Sequence, residues 1–496
     1  MTDPQNNAPL FPPPQHPDEL NVDLCVIGAG SAGLSIASGA AQLGLDVVLI
    51  EKSAMGGDCL NTGCVPSKSM IEAAKAIHNA RTLDAYNQKN PDLTIDFAGI
   101  HKHVHDVIRQ IEPHDSQERF EGLGVKVIRE AARFTDSKTV RAGRHTIRAR
   151  KFVISTGSHA SIPPIKRLDP ALALTNENIF NLTKRPAHLV IIGGGPIGVE
   201  MAQAHKRLGS KVTLITNGRI LEKDDADCAA LLKETLVNEG IKIHEHSSID
   251  KINHKEGDVT AHISSGEDIY QIDGTHLLVA TGRRANIENL GLEAAGITTT
   301  ETGIVTDRRL RTSQKHIFAA GDVATEIGGG PQFTHIAGYH AGIIIRNLIF
   351  KLPAKTDYKS LPWVTYTDPE LAQIGLTESA ALEKFGAHKI EVIKIKLKEI
   401  DRAVAARTTG GLAKLICTSK GRVLGVTILA PHAGDLLGVW SLVIDQNLKL
   451  SAVASMIAPY PSYGEINKRL ASAYFTSSLF SPKTRFFAAL LQKLPF

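Results

Sequence analysis

The chain is poor in cysteine, with five in 496 residues. That scarcity excludes a small secreted scaffold stapled by disulfides. The five are Cys25, Cys59, Cys64, Cys228 and Cys417, and only Cys59 and Cys64 are close in sequence. No apolar run reaches the roughly 18 residues that a membrane span needs. The first 20 residues, MTDPQNNAPLFPPPQHPDEL, have neither a basic start nor an apolar stretch, so they do not read as a secretory signal. Polar and proline-rich, residues 1–20 are expected to be a disordered tail, and the expected compartment is a reducing cytoplasm. Charge of one sign is also lacking: 56 Lys and Arg against 51 Asp and Glu leave +5. The basic residues are scattered, which argues against a nucleic-acid partner. With 43% hydrophobic and 22% charged residues, the composition is that of a globular protein rather than a disordered one. Its length suits about three domains.

Glycine, in contrast, is plentiful, at 42 residues, and several stand in patterned loops. Residues 22–27 read as a buried parallel strand. Gly28, Gly30 and Gly33 follow in GxGxxG spacing, then a small-residue helix to about Leu43 and a strand over 47–50 that ends at Glu51. The same grammar returns with the strand 188–192, Gly193, Gly195 and Gly198, a helix to about Leu208 and the strand KVTLIT. A duplicated βαβ unit predicts two dinucleotide sites. Such glycines let the backbone approach a pyrophosphate at a helix N-terminus, and Glu51 would accept hydrogen bonds from a ribose diol. The residue matching Glu51 in the second unit is Thr216, with Arg219 close behind. A carboxylate there would repel a 2′-phosphate and an arginine would pair with it, which tips the second ligand towards NADPH over NADH. The alternative is that Arg219 is an ordinary solvated loop residue.

The segment 56–68 reads GGDCLNTGCVPSK, two cysteines enclosing four residues ahead of an expected helix. It lacks the second cysteine pair or neighbouring histidines that zinc would require, and no metal site is assigned. A redox-active pair fits best, because a helix N-terminus stabilises a thiolate, the species that exchanges with disulfides. His101, His103 and His105 lie in IHKHVHDVI. On a helix, His101 and His105 share a face, expected to be solvated, with a metal as the alternative. Cys25, on the first apolar strand, is expected in the core. From about residue 357 the texture changes to antiparallel strands followed by helices. The last stretch, SPKTRFFAALLQKLPF, is basic and amphipathic; it is expected to pack on its own domain, with a membrane surface or a partner as the alternative.

Taken together, GAGSAG, GGDCLNTGCVPSK, STGS, GGGPIG, ATGRRAN, AAGDVA and TYTDPELAQIG resemble the FAD-dependent pyridine nucleotide-disulfide oxidoreductases, over residues 20 to about 475. That family includes dihydrolipoamide dehydrogenase, glutathione reductase and mercuric reductase. The resemblance implies an α/β fold with two Rossmann-like dinucleotide-binding domains, one for FAD (21–160 and 285–355) and one for NAD(P) (161–284). A C-terminal α+β dimerisation domain (356–480) and the basic tail (481–496) would follow. It implies that Gly28, Gly30, Gly33 and Glu51 hold the ADP part of FAD and that Asp322 binds a ribityl hydroxyl. Phe333, Thr334 and His335 would line the flavin, and Lys68, Ala132 and Gly157 would also contact FAD. Gly193, Gly195, Gly198 and Gly282, with Thr216 and Arg219, would hold NAD(P)H. Lys68 and Glu200 match a family pair beside the flavin ring, where the lysine charge would stabilise arriving electrons. In this reading NAD(P)H reduces FAD, reduced FAD opens a Cys59–Cys64 disulfide, Cys64 is the thiolate against the flavin, and Cys59 attacks the substrate.

One element departs from the disulfide reductases, which carry His-Pro-x-x-x-Glu near the C-terminus. Here Tyr460 stands in place of the acid–base histidine, with Pro461 and Glu465 in register. A phenol titrates near 10 and is a poor proton acceptor at neutral pH, so reduction of lipoamide or glutathione disulfide is expected to be weak. The tyrosine resembles mercuric reductase, as do EMAQAHKRLGSKVT and VTYTDPELAQIG. That enzyme's vicinal C-terminal cysteine pair has no counterpart, since no cysteine follows Cys417. Soft Hg(II) favours thiolates, and only Cys59 and Cys64 are on offer. The expectation is a homodimer serving a small-molecule or protein-borne thiol or disulfide, or a soft metal. A quinone or oxygen reductase or a transhydrogenase with a vestigial cysteine pair is the alternative, and a non-catalytic flavin-binding partner is a third class.

Overall fold

The computed structural model describes residues 18–326 and 330–494. Most of the tail expected over 1–20 therefore lies outside the described residues, and residues 18–20 already belong to the first strand, Asp18–Ile27. The chain divides into two compact units, one of Met1–Gly63, Ile108–His159 and Arg283–Thr356, the other of Cys64–Val107, Ala160–Gly282 and Asp357–Phe496.

The first unit is built on a parallel sheet in the order Val125–Ile128, Val47–Ile50, Asp18–Ile27, His145–Ile154. Val47–Ile50 is buried at all four positions, as expected where both faces of a parallel sheet are covered. The ten-residue strand His145–Ile154 serves two partners along its free edge. Its end pairs in parallel with Ile317–Ala319, and its start carries the antiparallel strands Thr139–Ala142 and Ala132–Asp136. The crossover helix Ser31–Gln42 follows the first glycine loop, and small residues on it allow close packing: a Cβ at Gly39 would lie 3.2 Å from Ile345 of helix Thr334–Leu348. Cys25 is fully buried in this core.

In the second unit, four parallel strands run in the order Lys242–His244, Lys211–Ile215, His188–Ile192, His276–Val279. Ser248–Lys255, Asp258–Ser265 and Asp268–Gly274 form a three-stranded antiparallel sheet. A separate five-stranded antiparallel sheet has the order Pro362–Thr365, Glu370–Gly375, Val423–Ala430, Leu412–Thr418, Ile390–Lys396. Helices Ala433–Asp445 and Glu465–Leu479 pack with it around buried Trp440, whose indole N–H donates to Asn467 Oδ1 at 2.7 Å. The mixed α/β architecture and the change to antiparallel strands after residue 357 agree with the sequence. The His101 and His105 rings stand 4.3 Å apart, and His105 Nε2 lies 3.3 Å from the Phe180 carbonyl. Among the described residues no group of three or more His, Cys, Asp or Glu is arranged to hold a metal ion.

The C-terminal stretch corrects its expectation. Ser481 caps a new helix, its Oγ accepting from the Thr484 N–H, and Pro482 begins it, so the chain leaves helix Glu465–Leu479 instead of continuing along it. None of the residues in helix Pro482–Leu491 is buried. Among the described residues, no helix is long and apolar enough to cross a membrane.

Lys414 lies on strand Leu412–Thr418 with its ammonium 2.7 Å from Asp225, 2.8 Å from Asp227 and 2.7 Å from Glu378. Burial opposes its charge, but the three carboxylates outweigh burial and raise its pKa above the ordinary lysine value. Asp225 also caps helix Ala226–Asn238 through the N–H groups of Asp227 and Cys228. The Lys414 and Asp225 side chains are each 2% exposed, so Lys414→Ala strands a buried carboxylate. It should destabilise this unit by about 3–5 kcal/mol, read as a lower denaturation midpoint, and adding Asp225→Asn should restore part of the loss.

Candidate active site

The first glycine loop has the shape a pyrophosphate needs. Gly28 has φ +102, and a Cβ there would lie 2.5 Å from the Ser155 carbonyl oxygen. A Cβ at Gly33 would come within 1.9 Å of the Gly28 carbonyl oxygen, so only glycine lets helix Ser31–Gln42 start this close to the strand. Gly30 at the N-cap supplies no side-chain cap, which leaves N–H groups at the helix start for an anion. Glu51 accepts from the Ala29 N–H through one carboxylate oxygen and from the Ser53 N–H through the other, both at 2.7 Å. Each oxygen keeps a lone pair for a hydroxyl. These residues fit the ADP half of FAD. Ala132 is buried at the start of its hairpin strand. Gly157 has φ +66, and its carbonyl accepts from the Asn286 N–H.

The cysteine loop is fastened to this cradle. The Gly56 N–H donates to the Ala29 carbonyl at 3.0 Å, and a Cβ at Gly57 would lie 2.7 Å from Gly30 Cα. Cys59 sits in the short helix Gly57–Asn61. Its neighbour Asp58 accepts from the Thr62 hydroxyl at 2.7 Å and pairs with Arg283 at 2.9 Å. Arg283 also donates through Nε to Ser158 Oγ at 2.7 Å, and Ser158 Oγ donates to Asp322 at 2.6 Å. One arginine thus links the residue beside Cys59 to the carboxylate expected to take a ribityl hydroxyl. Burial raises the Asp322 carboxyl above the ordinary range, while Ser158 and Arg283 pull it back down. The sequence reading used ATGRRAN for Gly282 alone and missed Arg283; a charged pair placed directly after a glycine turn was the available signal.

Asp322 lies in the turn Gly321–Val323. Gly321 has φ +73, and its N–H donates to His340 Nδ1 at 3.1 Å. Thr334 is the first residue of helix Thr334–Leu348, and the Phe333 and His335 rings stack at 5.2 Å. His340 was not anticipated, since a lone histidine within a helix carries no sequence signal.

Cys64 opens helix Cys64–Ala80, so its sulfur stands at the positive end of a 17-residue helix. Lys68 lies one turn on, at i+4 and on the same face. Its ammonium is 2.8 Å from Glu200, whose side chain is only 4% exposed. The second Glu200 oxygen accepts the Tyr366 N–H at 2.9 Å, and the Lys68 ammonium stands 4.6 Å over the Tyr366 ring. The expected Lys68–Glu200 pair is therefore formed. Tyr366 was missed, although it belongs to the quoted TYTDPE stretch. Gln203 and Arg207, on the helix of Glu200, hold the same stretch at Asp368: the Asp368 N–H donates to Gln203 at 2.8 Å, and Arg207 pairs with its carboxylate at 2.9 Å.

The second glycine loop repeats the first. Gly193 has φ +115, and a Cβ there would lie 2.2 Å from the Ala280 carbonyl oxygen; a Cβ at Gly198 would lie 2.0 Å from the Gly193 carbonyl oxygen. Gly195 caps helix Pro196–Arg207 without a side chain, and Gly282 has φ +147. These residues fit a dinucleotide phosphate. Thr216 packs over Gly194. Arg219 directs its guanidinium to four carbonyls of its own turn: Ile220 at 3.4 Å, Leu221 at 3.1 Å, Glu222 at 2.8 Å and Asp224 at 2.6 Å. Of its five N–H donors, one is left for a ligand.

Tyr460 is 70% exposed, and its hydroxyl donates to Asp401 at 2.9 Å. That bond raises the phenol above its ordinary value of 10. Glu465 opens helix Glu465–Leu479, and its Oε2 is buried with no hydrogen-bond partner among the described residues. Tyr460 and Glu465 are thus close in sequence but not bonded to one another.

Burial pushes the His340 imidazole down to about 4 from 6.5. Below about pH 6.5 the unfolded chain takes up a proton that the folded site refuses. The contribution of His340, about 3 kcal/mol, is complete above that pH and lost as the pH falls towards about 4. Thermal release of flavin, followed by its fluorescence, should move to lower temperature over this window. His340→Ala should be less stable at neutral pH and lose less on acidification.

Residues 22–341 match the sequence profile of the pyridine nucleotide-disulphide oxidoreductases, and residues 361–471 match that of their dimerisation domain. The chain is 32% identical over 465 residues to a mercuric reductase of Streptomyces lividans, spanning 92% of this chain and 97% of the relative. It is 32% identical over 457 residues to a dihydrolipoyl dehydrogenase of Geobacillus stearothermophilus, spanning 90% and 95%. Among solved structures, the HOCl-induced flavoprotein disulfide reductase RclA from Escherichia coli superposes with a TM-score of 0.81 at 29% identity, over 91% of this chain and 99% of that one. Matched along almost its whole length and carrying both glycine cradles and the cysteine loop, the chain belongs to the pyridine nucleotide-disulphide oxidoreductase family, flavoproteins that use FAD and NAD(P)H.

Proposed function

We propose that this protein is a homodimeric, cytoplasmic NAD(P)H-dependent reductase whose Cys59–Cys64 pair passes electrons to a small-molecule or protein-borne disulfide or to a soft metal ion. The observation that carries this reading is the setting of Cys64: first residue of a long helix, with Lys68 on the same face locked to buried Glu200. Both the helix dipole and the ammonium favour a thiolate at Cys64. Bound FAD supplies hydride acceptance from NAD(P)H and delivery of an electron pair to the cysteine disulfide. Cys59 as thiolate then attacks one sulfur of a substrate disulfide, forming a mixed disulfide and releasing one substrate thiolate. Cys64 attacks Cys59 Sγ, restores the Cys59–Cys64 bond and releases the second thiolate. Each released thiolate is protonated from the bulk solvent and its buffer, because the Tyr460 phenol is held by Asp401 and raised above its ordinary value, so it does not replace the acid–base histidine.

Cys25, Cys228 and Cys417 are buried. Burial, the main cause for each, pushes all three thiols up, Cys417 to about 12. That leaves Cys59 and Cys64 for the exchange. The names of the relatives support both acceptor classes: mercuric ion is a soft metal, and dihydrolipoyl groups are dithiols. NADPH is favoured modestly over NADH because no acid stands at Thr216; Arg219, occupied by its own turn, adds little to that choice.

Cys59→Ser should abolish reduction of disulfides or Hg(II) while NADPH still bleaches the flavin. Two-electron-reduced wild-type enzyme should show a long-wavelength band from the Cys64 thiolate to oxidised flavin; Cys64→Ser should lack it, and Cys59→Ser should show it already in the oxidised enzyme, before NADPH bleaches the flavin. Full acceptor turnover in Cys59→Ser would overturn the thiol route and favour direct transfer to a quinone or oxygen. Tyr460→His should raise dihydrolipoamide oxidation near neutral pH by a factor on the order of 10², measured as NAD(P)⁺ reduction. Wild-type turnover of lipoamide at a comparable rate would show that this position does not limit proton transfer.

A further inference from the structure

Helix Pro482–Leu491 displays apolar side chains that the other described residues leave exposed. Phe486 is 66% exposed, Phe487 60%, Leu490 51% and Leu491 63%. At 3.6 residues per turn these four fall within an arc of about 140°, a continuous apolar stripe, while Arg485 lies on the opposite side. Leu494, just past the helix, is 60% exposed. The charge is equally one-sided: no Asp or Glu follows Glu465, whereas Lys468, Arg469, Lys483, Arg485 and Lys493 do.

This combination selects one occupant. A second copy of the same helix, packed about a two-fold axis, would bring cation against cation with no carboxylate in either segment to compensate. An anionic phospholipid surface satisfies both properties at once. Phenylalanine and leucine enter the acyl boundary, while Lys483, one turn before Phe486 on the stripe side, lays its stem along the stripe and reaches a phosphate, and Arg485 adds positive charge from the opposite side. The helix is already formed and capped by Ser481, so binding does not have to order it. At ten residues it is far too short to span a bilayer. We propose that helix Pro482–Leu491 is an interfacial anchor that lays its Phe486–Leu491 stripe into the headgroup region of an anionic membrane. The anchor is independent of the thiol chemistry proposed above.

The test is co-sedimentation of the full-length, FAD-loaded protein with vesicles of phosphatidylcholine alone or mixed with phosphatidylglycerol. Binding should appear only with the anionic vesicles and weaken as salt is added. The double variant F486S/F487S should bind at least about tenfold more weakly, and K483E/R485E should lose the preference for anionic lipid. Flavin content and NADPH oxidation should stay at wild-type levels in both variants. Failure of the wild-type protein to bind anionic vesicles would overturn the proposal, as would F486S/F487S binding like wild type. So would conversion of a dimer to a monomer by F486S/F487S in sedimentation velocity, which would assign the stripe to a second copy of the chain.

Discussion

The ion pair between Lys68 and Glu200 is the constraint on which the second unit's chemistry depends. A carboxylate this deeply buried is strongly destabilising unless its charge and both its oxygens are satisfied. Here one oxygen meets the Lys68 ammonium and the other the Tyr366 N–H. Satisfying Glu200 therefore fixes three separate pieces of chain: the helix opened by Cys64, the helix that follows the second glycine loop, and the stretch leading from strand Pro362–Thr365. About two turns further along that helix, Arg207 repeats the device. It joins Glu239 at 2.7 Å and Asp368 at 2.9 Å and ties the same helix and stretch together again. With both ends clamped, Lys68 cannot swing away from the face it shares with Cys64, and the sulfur keeps a fixed positive charge one turn away.

The first unit solves a related problem with one arginine. Asp58 adjoins Cys59 and would by itself oppose a thiolate there. Arg283 neutralises it and, through Ser158, reaches Asp322. The cysteine loop and the turn Gly321–Val323 thus share a single cation, and the two glycines before Asp58 bring the loop against the first glycine cradle. His340 supports the same turn from behind through the Gly321 N–H. Its ring must be neutral to accept that bond, and burial keeps it so.

Tyr460 and Arg219 show how a side chain's partners revise a reading based on residue type. Tyrosine in place of an acid–base histidine already suggests weak proton transfer, and the bond to Asp401 strengthens that conclusion by raising the phenol further. Arginine near the end of the second strand suggests a phosphate ligand, yet four backbone carbonyls take almost all of its donors.

Local rules were enough to determine the two glycine cradles, the flanking strands and helices, Glu51, the helix opened by Cys64 and the change to antiparallel strands after residue 357. Each depends on a few neighbouring residues: a turn that only glycine can make, a run of apolar side chains, a cysteine ahead of a helix. The pairing of Lys68 with Glu200 was legible only through resemblance, because 132 residues separate them. Tyr366, Arg283, Asp58 and His340 were illegible for the same reason, their roles being set by partners distant in sequence. The exposed stripe of helix Pro482–Leu491 is the clearest case. Amphipathic pattern determined that the helix has an apolar face, but whether that face is covered depends on what the folded chain places beside it, and only the tertiary structure decided that.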